Sequence, residues 1–280
     1  MITGYSNTIS VTTSAPPLLL DLYPSAAAAY SVRLLRSAYS GSAIRVRRSS
    51  DNAEQDIGFS GANLDTSALT SFCSGTNGFV TTWYDQSGNG NNATQTTAAN
   101  QPQIVSSGSV ILENGKPALR FDGSNDFFNL GNSIFNTNSS LTYLQVAKIT
   151  NATQLIFDRT SNGNGTLGPF YVWRLLDTYR YGVITTTAQS VNNYSKTNVN
   201  RDLLFYYYDG SNSYTYENNV LKNTVSAGAT LVLRSTENWT ISTTSFPVNG
   251  TIQELITFGS NQSTNRSSIN TNINTYYGIY

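Results

Sequence analysis

From residue 79 to residue 258 the chain consists of short apolar and β-branched segments separated by turn residues. Dipeptides such as Asn114-Gly115, Asp122-Gly123 and Asp209-Gly210 favour tight turns between neighbouring strands. Many short strands at nearly regular spacing are typical of a β-sandwich or jelly roll and not of a βαβ fold. The predicted strands cover residues 79–84, 103–105, 109–112, 117–121, 126–130, 141–149, 153–158, 170–174, 180–186, 203–208, 213–217, 220–225, 230–234 and 248–258.

Helices are predicted only at the margins of this pattern. The first runs over residues 25–39, where apolar side chains recur at helical spacing. The second runs over 65–72, with Asp65 as its N-cap. The third closes the chain over 263–277. The chain is therefore predicted to be all-β with a few short helices.

The amino-terminal residues differ in composition from the rest. Residues 1–20 are rich in Ser and Thr and contain Pro16 and Pro17, which favour an extended arm. They lack the basic and apolar regions of an export signal, and no stretch approaches the about 18 apolar residues of a membrane span. No linker composition and no internal repeat divides the remainder. We predict an arm over 1–20 and one domain over 21–280.

Composition excludes several kinds of chemistry. The chain has no histidine, which removes a Ser-His triad, the commonest general base and the commonest neutral metal ligand. Cys73 is its only cysteine, so neither an internal disulfide nor a thiolate zinc cluster can form. Sixteen Lys and Arg balance sixteen Asp and Glu, and without a basic surplus nucleic acid is not an expected partner. No cofactor is expected.

The segment over residues 79–95 is a strand that ends in an aspartate and runs into a loop rich in Gly and Asn. Asp85, Ser87, Asn89 and Asn91 fall at alternating positions, the spacing at which calcium loops present oxygen ligands. Asp85 is the only carboxylate among them, and no acid occupies the last ligand position of such a loop. We therefore predict a tight Asx turn. A weak calcium site at Asp85, Asn89 and Asn91 is the alternative.

This segment and the residues before it resemble the catalytic domain of fungal α-L-arabinofuranosidase B. The resemblance runs from about Leu20 to Gln95 and implies a concanavalin-like jelly-roll β-sandwich. The same block is similar to one found in phage tail and surface proteins with laminin-G or concanavalin-like domains. The matching residues are Ser37–Gly41, Arg47–Asp51, Ser71–Cys73 and Tyr84–Asn91.

The resemblance also implies where catalytic carboxyl groups should lie. Asp158 matches the aspartate of a Phe-Asp motif, but the place of the nucleophilic glutamate falls on Gly163 and that of the proton donor on Thr243. Retaining glycosidases need two carboxyl groups about 5–5.5 Å apart. We therefore expect a scaffold without catalytic residues, and hence not an enzyme. In the alternative, an arabinofuranosidase-like hydrolase has relocated its acid pair to Asp158 with Glu237 or Glu254.

Aromatic residues supply candidates for sugar binding, because Trp and Tyr rings stack on the C–H faces of sugars. The candidates are Tyr171, Trp173, Tyr179 and Trp239, with Arg159 to bond hydroxyl groups, and Trp239 is expected to be exposed because it lies in a polar segment.

By analogy with the phage proteins, we expect a non-catalytic virion surface or tail protein that attaches to a host through weak glycan binding. The alternatives are the hydrolase and a capsid or tail subunit without a ligand. The expected location is the virion surface, outside the cell. The expected partners are other virion proteins through the arm, a cell-surface glycan and further copies of the chain.

Overall fold

The computed structural model describes residues 17–135, 140–150, 153–158, 170–175, 178–184, 189–196, 200–227 and 238–280. Within these ranges the helices are α1 (Leu19–Leu22), α2 (Thr66–Phe72) and α3 (Arg266–Tyr277), with a 3-10 turn at Ala98–Asn100. The strands are β1 (Ala26–Ser31), β2 (Ile44–Arg48), β3 (Glu54–Ile57), β4 (Phe59–Ser60), β5 (Asn63–Leu64), β6 (Gly78–Trp83), β7 (Ala93–Thr94), β8 (Gln103–Ser106), β9 (Ser109–Val110), β10 (Leu112–Glu113), β11 (Lys116–Pro117), β12 (Leu119–Asp122), β13 (Phe128–Asn129), β14 (Leu141–Ile149), β15 (Gln154–Asp158), β16 (Phe170–Leu175), β17 (Thr178–Ile184), β18 (Gln189–Ser195), β19 (Asp202–Tyr208), β20 (Asn212–Glu217), β21 (Val220–Ser226), β22 (Thr240–Ile241) and β23 (Asn249–Phe258).

The strands form two antiparallel layers. One layer runs β21, β20, β19, β14 and β23, and β1 and β12 share the remaining edge of β23. The other runs β3, β2, β6, β7, β13, β22, β15, β16, β17 and β18. Strand β8 joins the layers by pairing with both β12 and β6. The prediction of an all-β sandwich is confirmed.

Aromatic side chains from the two layers meet in the core. The ring centroid of Tyr143 on β14 lies 5.1 Å from that of Phe157 on β15 and 5.5 Å from that of Phe170 on β16. Tyr206 on β19 lies 5.0 Å from Phe170 and stacks on Tyr181 of β17 at 5.4 Å. All five are buried. Because side chains alternate between the two faces of a strand, these contacts fix which positions of β15, β16 and β17 point inward.

The predicted first helix is wrong. Residues Ala26–Ser31 form β1 instead, which pairs with the carboxyl-terminal half of β23. Ser25, the expected N-cap, has φ of 70°, which lies outside helical conformations. Four of the six β1 side chains are apolar and buried, so tertiary pairing overrides the helix propensity of the alanines.

The other two helices and most predicted strands are confirmed. Asp65 caps α2 by accepting a hydrogen bond from the Ala68 amide at 2.9 Å, and α3 buries Ile269 and Ile273. The predicted strand 230–234 lies outside the described residues. Helix α1 begins at Leu19, just inside the predicted arm, and residues 1–16 are not described. In the part of the chain that the structure covers, no helix has the length and apolar character needed to span a membrane.

A buried ion pair connects β1, β23 and α3. Arg33 donates from Nε and Nη2 to the two oxygens of Glu254, at 2.8 and 3.0 Å. Glu254 Oε2 also accepts hydrogen bonds from Ser31 Oγ at 2.7 Å and from Tyr277 Oη at 3.2 Å. Arg33 and Glu254 are both buried. The bidentate contact and the added hydroxyl donors offset the desolvation of the two charges.

Replacing Glu254 by Gln should lower the free energy of unfolding by about 3–5 kcal/mol, because the Arg33 charge would remain buried without its counter-ion. Urea unfolding followed by tryptophan fluorescence measures the change. Glu54→Gln is the matched control, since Glu54 pairs with Arg45 at 2.7 Å on a solvent-exposed part of the sheet. That variant should lose less than about 1 kcal/mol. Equal losses in the two variants would contradict the structural role of the buried pair.

Candidate functional site

Asp158 ends β15 on the side of its layer that faces away from the core. Its neighbour Phe157 points inward, so the Asp158 side chain points outward. Its partner across the ladder is Thr240 of β22, and continuing the register with β16 brings Tyr171 beside it. The Asp158 side chain is buried. Among the described residues of β13, β22 and β15 to β18, Asp158 is the only acidic one.

Aromatic rings share this outward side. Tyr171 lies opposite Gly182 of β17, and its ring covers that glycine so closely that any Cβ at residue 182 would collide with it. Trp173, two residues further along β16, contacts Phe246 with ring centroids 5.0 Å apart. Trp173 and Phe246 are both partly exposed. We call the outward side formed by Asp158, Tyr171, Trp173, Thr240 and Phe246 the Asp158 face.

Two of the predicted sugar-binding rings lie in the core instead. Trp239 stacks on Phe157 with centroids 5.1 Å apart and is fully buried, so the expectation of its exposure is wrong. The reason is that β22 pairs on both sides, with β13 and β15, which draws Trp239 between the layers. Tyr179 is buried beneath the Arg174 guanidinium, 4.9 Å from its ring centroid. Neither ring presents a face to a sugar.

The structure excludes Glu254, one of the two alternative acid partners of Asp158. Glu254 lies on β23 in the other layer, and both of its oxygens are bound by Arg33. It is therefore not available as a catalytic acid or base. Glu237 and the predicted sugar-binding Arg159 lie outside the described residues. Sequence reasoning missed Phe246, Gly182 and Thr240. The strand register places Thr240 beside Asp158 and Gly182 opposite Tyr171, and Phe246 contacts Trp173.

The Gly- and Asn-rich loop after β6 fastens β1 to the second layer. Asp85 accepts four hydrogen bonds: from Ala29 N at 2.8 Å, Ser87 N at 2.9 Å, Ser87 Oγ at 2.7 Å and Asn91 N at 3.0 Å. The predicted Asx turn is confirmed. These donors occupy the lone pairs that a cation would need, so the geometry does not support the weak calcium alternative at Asp85, Asn89 and Asn91.

The neighbouring Gln86 completes this attachment. Its Oε1 accepts a hydrogen bond from Leu35 N at 2.8 Å, and its Nε2 donates to the carbonyls of Ser31 and Arg33. The Gln86 side chain is fully buried. Together, Asp85 and Gln86 form hydrogen bonds with backbone N–H and C=O groups of β1 and of the segment after it. The segment singled out from the sequence therefore acts as a structural staple.

Replacing Asp85 by Asn should destabilise the fold by about 2–3 kcal/mol, because the new amide group directs a donor at two existing donors, Ser87 Oγ and Asn91 N. Chemical denaturation measures the loss. Asp51→Asn is the matched control, since Asp51 also accepts from a backbone amide two residues on, at Ala53, but in an exposed turn. It should cost little. If Asp85→Asn were as stable as the wild type, the loop after β6 would not act as a structural staple for β1.

Two other carboxyl groups have raised pKa values. Burial raises the pKa of Asp126 to about 6, and burial likewise raises the pKa of Asp202 to about 6. Asp202 contacts Lys196, which also contacts Glu217, and Glu217 contacts Lys222, so two cations meet two carboxyl groups near the start of β19. Asp126 accepts a hydrogen bond from Asp122 N at 2.9 Å. Neither carboxyl belongs to the Asp158 face, and we assign both to the fold.

Asp126→Asn should stabilise the protein at pH 7 by about 1–2 kcal/mol and leave its stability at pH 4 nearly unchanged. The raised pKa means that folded Asp126 holds its proton more tightly than the unfolded chain, where the value is 3.8. The stabilisation that protonated Asp126 gives the folded protein is thus fully present below about pH 4 and is lost as the pH rises through 6. The amide introduced by the substitution does not titrate and can still accept from Asp122 N. Thermal unfolding across this pH range measures the effect, and a pH-independent difference would contradict it.

The fold and the Asp158 face define a class: a two-layer antiparallel β-sandwich with a carboxylate beside aromatic rings on an outward surface. Comparison with known families narrows this class. Residues 21–117 match the family model "Alpha-L-arabinofuranosidase B, catalytic", which is about a third of the chain. Alpha-L-arabinofuranosidase B of Aspergillus niger is 38% identical over 94 residues, 31% of this chain and 18% of that protein. The probable alpha-L-arabinofuranosidase B of Aspergillus fumigatus is 45% identical over 74 residues, 26% of this chain and 15% of that protein.

Solved arabinofuranosidases share the fold over most of the chain. A GH54 a-l-arabinofuranosidase soaked with a cyclic sulfate inhibitor superposes with a TM-score of 0.62 at 18% identity, over 89% of this chain and 62% of that one. An arabinofuranosidase complexed with arabinofuranosyl-alpha-1,2-xylobiose gives the same values. At this identity the likeness shows a common fold. The matched part spans less than a fifth of the curated relatives' length and less than two thirds of these solved chains.

These similarities correct the functional expectation drawn from the sequence. The expectation of a non-catalytic virion surface or tail protein is wrong, because the matching family model and the relatives named above are arabinofuranosidases. The expectation that the chain is not an enzyme is wrong for the same reason. The alternative that fits the comparisons better is the arabinofuranosidase-like hydrolase.

Proposed function

We propose that this chain is a glycoside hydrolase domain of the arabinofuranosidase B type, which acts on α-L-arabinofuranosides outside the cell. The observation that carries the proposal is how much of the chain the sequence comparison and the structure comparison cover between them. The family match ends at residue 117, whereas the fold shared with solved arabinofuranosidases extends over 89% of the chain. The Asp158 face lies in the part of the chain after residue 117.

Asp158 is proposed as one of the two carboxyl groups. Glycoside hydrolysis passes through a transition state with positive charge on the sugar ring, and a carboxylate near that charge stabilises it. The buried position of Asp158 strengthens this interaction, because water screens charges less in a site lined by aromatic rings. Asp158 lies at the end of a strand, where a fixed backbone holds the carboxylate in place.

Glu237 is proposed as the second carboxyl group. It precedes Thr240, the ladder partner of Asp158, by three residues. Carboxyl pairs of glycosidases lie about 5–5.5 Å apart in retaining and about 6.5–9.5 Å apart in inverting enzymes, which is the separation that the proposal requires of Asp158 and Glu237.

Trp173 and Phe246 are proposed to hold the sugar units next to the cleaved bond. Both rings are partly exposed, and they lie on the same face as Asp158. An aromatic ring binds a sugar through the C–H groups on one side of the pyranose or furanose ring, which leaves the hydroxyl groups to polar neighbours. Thr240, half-buried beside Asp158, is such a neighbour.

Asp158→Asn and Glu237→Gln should each lower kcat/KM for 4-nitrophenyl α-L-arabinofuranoside by about 10²–10⁴-fold, because each removes a carboxyl group from the proposed pair. Release of 4-nitrophenol measures the rate. Glu54→Gln, which neutralises an acid on the exposed surface of β3, is the control and should keep the wild-type rate.

Two results would contradict the proposal. One is a folded wild-type protein that releases no nitrophenol. The other is hydrolysis that is unchanged in both variants, which would place the chemistry elsewhere in the chain. Circular dichroism spectra of all four proteins separate a lost carboxyl group from a lost fold.

A further inference from the structure

A polar cleft of about 570 Å³ lies where β1 begins and β23 ends. Its walls come from the start of β1, from the loop after β6, from the loop after β13 and from the residues that follow β23. Its lining includes Ser25, Ala26, Ala27, Asn89, Asn91 and Ser133. None of the residues of the Asp158 face lines this cleft.

The cleft presents two amide oxygens in fixed positions. Asn89 donates from Nδ2 to the carbonyls of Ala26 at 2.9 Å and Ala27 at 3.1 Å, and Asn91 donates from Nδ2 to Ala27 at 2.9 Å. If either side-chain amide were rotated by 180°, its Oδ1 would face a backbone carbonyl oxygen of β1, so the Nδ2 atoms must face the strand. Each Oδ1 then points away from β1, and within the described residues neither accepts a hydrogen bond. The backbone of Asn91 is held in turn by Asp85.

The lining carries no charge. Its residues are Ser, Asn, Ala, Gly and Ile, and the nearby carboxylate of Asp85 is buried with all of its hydrogen bonds made within the loop and to β1. Arg36, whose Nη1 donates to the carbonyl of Ser87 at 2.9 Å, is not among the lining residues, so the lining itself offers no charge to an anion and only neutral oxygens to a cation. A ligand with several hydroxyl groups fits better, because it can donate to Asn89 and Asn91 and accept from Ser133.

The volume of the cleft and the backbone conformation of its lining also favour a binding site. Small-molecule sites usually enclose about 300–1,000 Å³, and the cleft falls within that range. Ser25 lines it with φ of 70°, a left-handed conformation that is costly for a residue other than glycine. Gly88 and Gly90, with φ of 94° and 75°, allow the loop to fold back so that Asn89 and Asn91 meet β1.

We propose that this cleft is a second saccharide site, distinct from the Asp158 face, which binds a neutral mono- or disaccharide unit through fixed amide acceptors. The site does not require hydrolysis, since binding here involves no carboxyl group. On an enzyme that acts at the Asp158 face, such a site would hold another part of the same glycan.

Ser133→Trp tests the proposal, because Ser133 is exposed at the rim and a large ring there would fill the cleft. Both variants, Ser133→Trp and its control, are made in the Asp158→Asn background, which removes one carboxyl group of the proposed hydrolytic site. Xylobiose and L-arabinose are the probes, and saturation-transfer NMR with titration measures binding. We expect binding to weaken at least about 10-fold in Ser133→Trp and to persist in the control Ser124→Trp, which places the same ring on another exposed loop.

The outcomes are distinguishable from those of the hydrolase test. Failure of both probes to bind the Asp158→Asn protein, or equal binding by the two tryptophan variants, would overturn the second site even if the wild type hydrolyses its substrate. Binding lost only with Ser133→Trp would support the second site even if no hydrolysis occurs. Matching unfolding temperatures of the two tryptophan variants exclude a folding defect as the cause.

Discussion

The arrangement of the sandwich depends on the buried ion pair between Arg33 and Glu254. Glu254 lies on β23, which pairs with β1 and β12 on one edge and with β14 on the other. A charge at this position can be buried only if Arg33, Ser31 and Tyr277 all reach it, so it selects the register that brings β1 and α3 to β23. A slip of one residue would turn Glu254 to the opposite face and leave both charges without partners.

The loop after β6 secures the same strand from the other layer. Asp85 holds the amide of Ala29, and Gln86 holds the carbonyls of Ser31 and Arg33. Arg33, Asp85 and Gln86 all lie within residues 21–117, the part that matches the arabinofuranosidase family model. That part of the chain therefore attaches β1 to both layers, and the Asp158 face is supplied by strands outside it. This division explains why a clear family match and a departure from the family's acid positions occur in the same sequence.

Much of the fold could be predicted from local patterns, and the errors have physical causes. The turn at Asp85 and the cap at Asp65 were predictable because each is made by residues close in sequence. Strand β1 was not, because its alanines favour a helix and only the pairing with β23 decides otherwise. For the site, Asp158 could be found from its motif. The outward position of Trp173 and the inward position of Tyr179 could not, because β16 carries aromatic residues on both faces and only the register with β15 and β17 shows which face of each strand points inward.

At the proposed second saccharide site, the loop that holds β1 in place also orders its own amide acceptors. Asn89 and Asn91 lose their side-chain freedom when they bond β1, as part of the same loop that Asp85 stabilises. A ligand that meets their amide oxygens therefore finds acceptors that are already ordered, and the entropy loss on binding is correspondingly smaller. The Asp158 face offers the complementary kind of contact, with aromatic surface and a buried charge. A neutral glycan long enough to reach both could use the cleft for affinity and leave the carboxylate for chemistry, since interactions that act only in the transition state are the ones that accelerate a reaction.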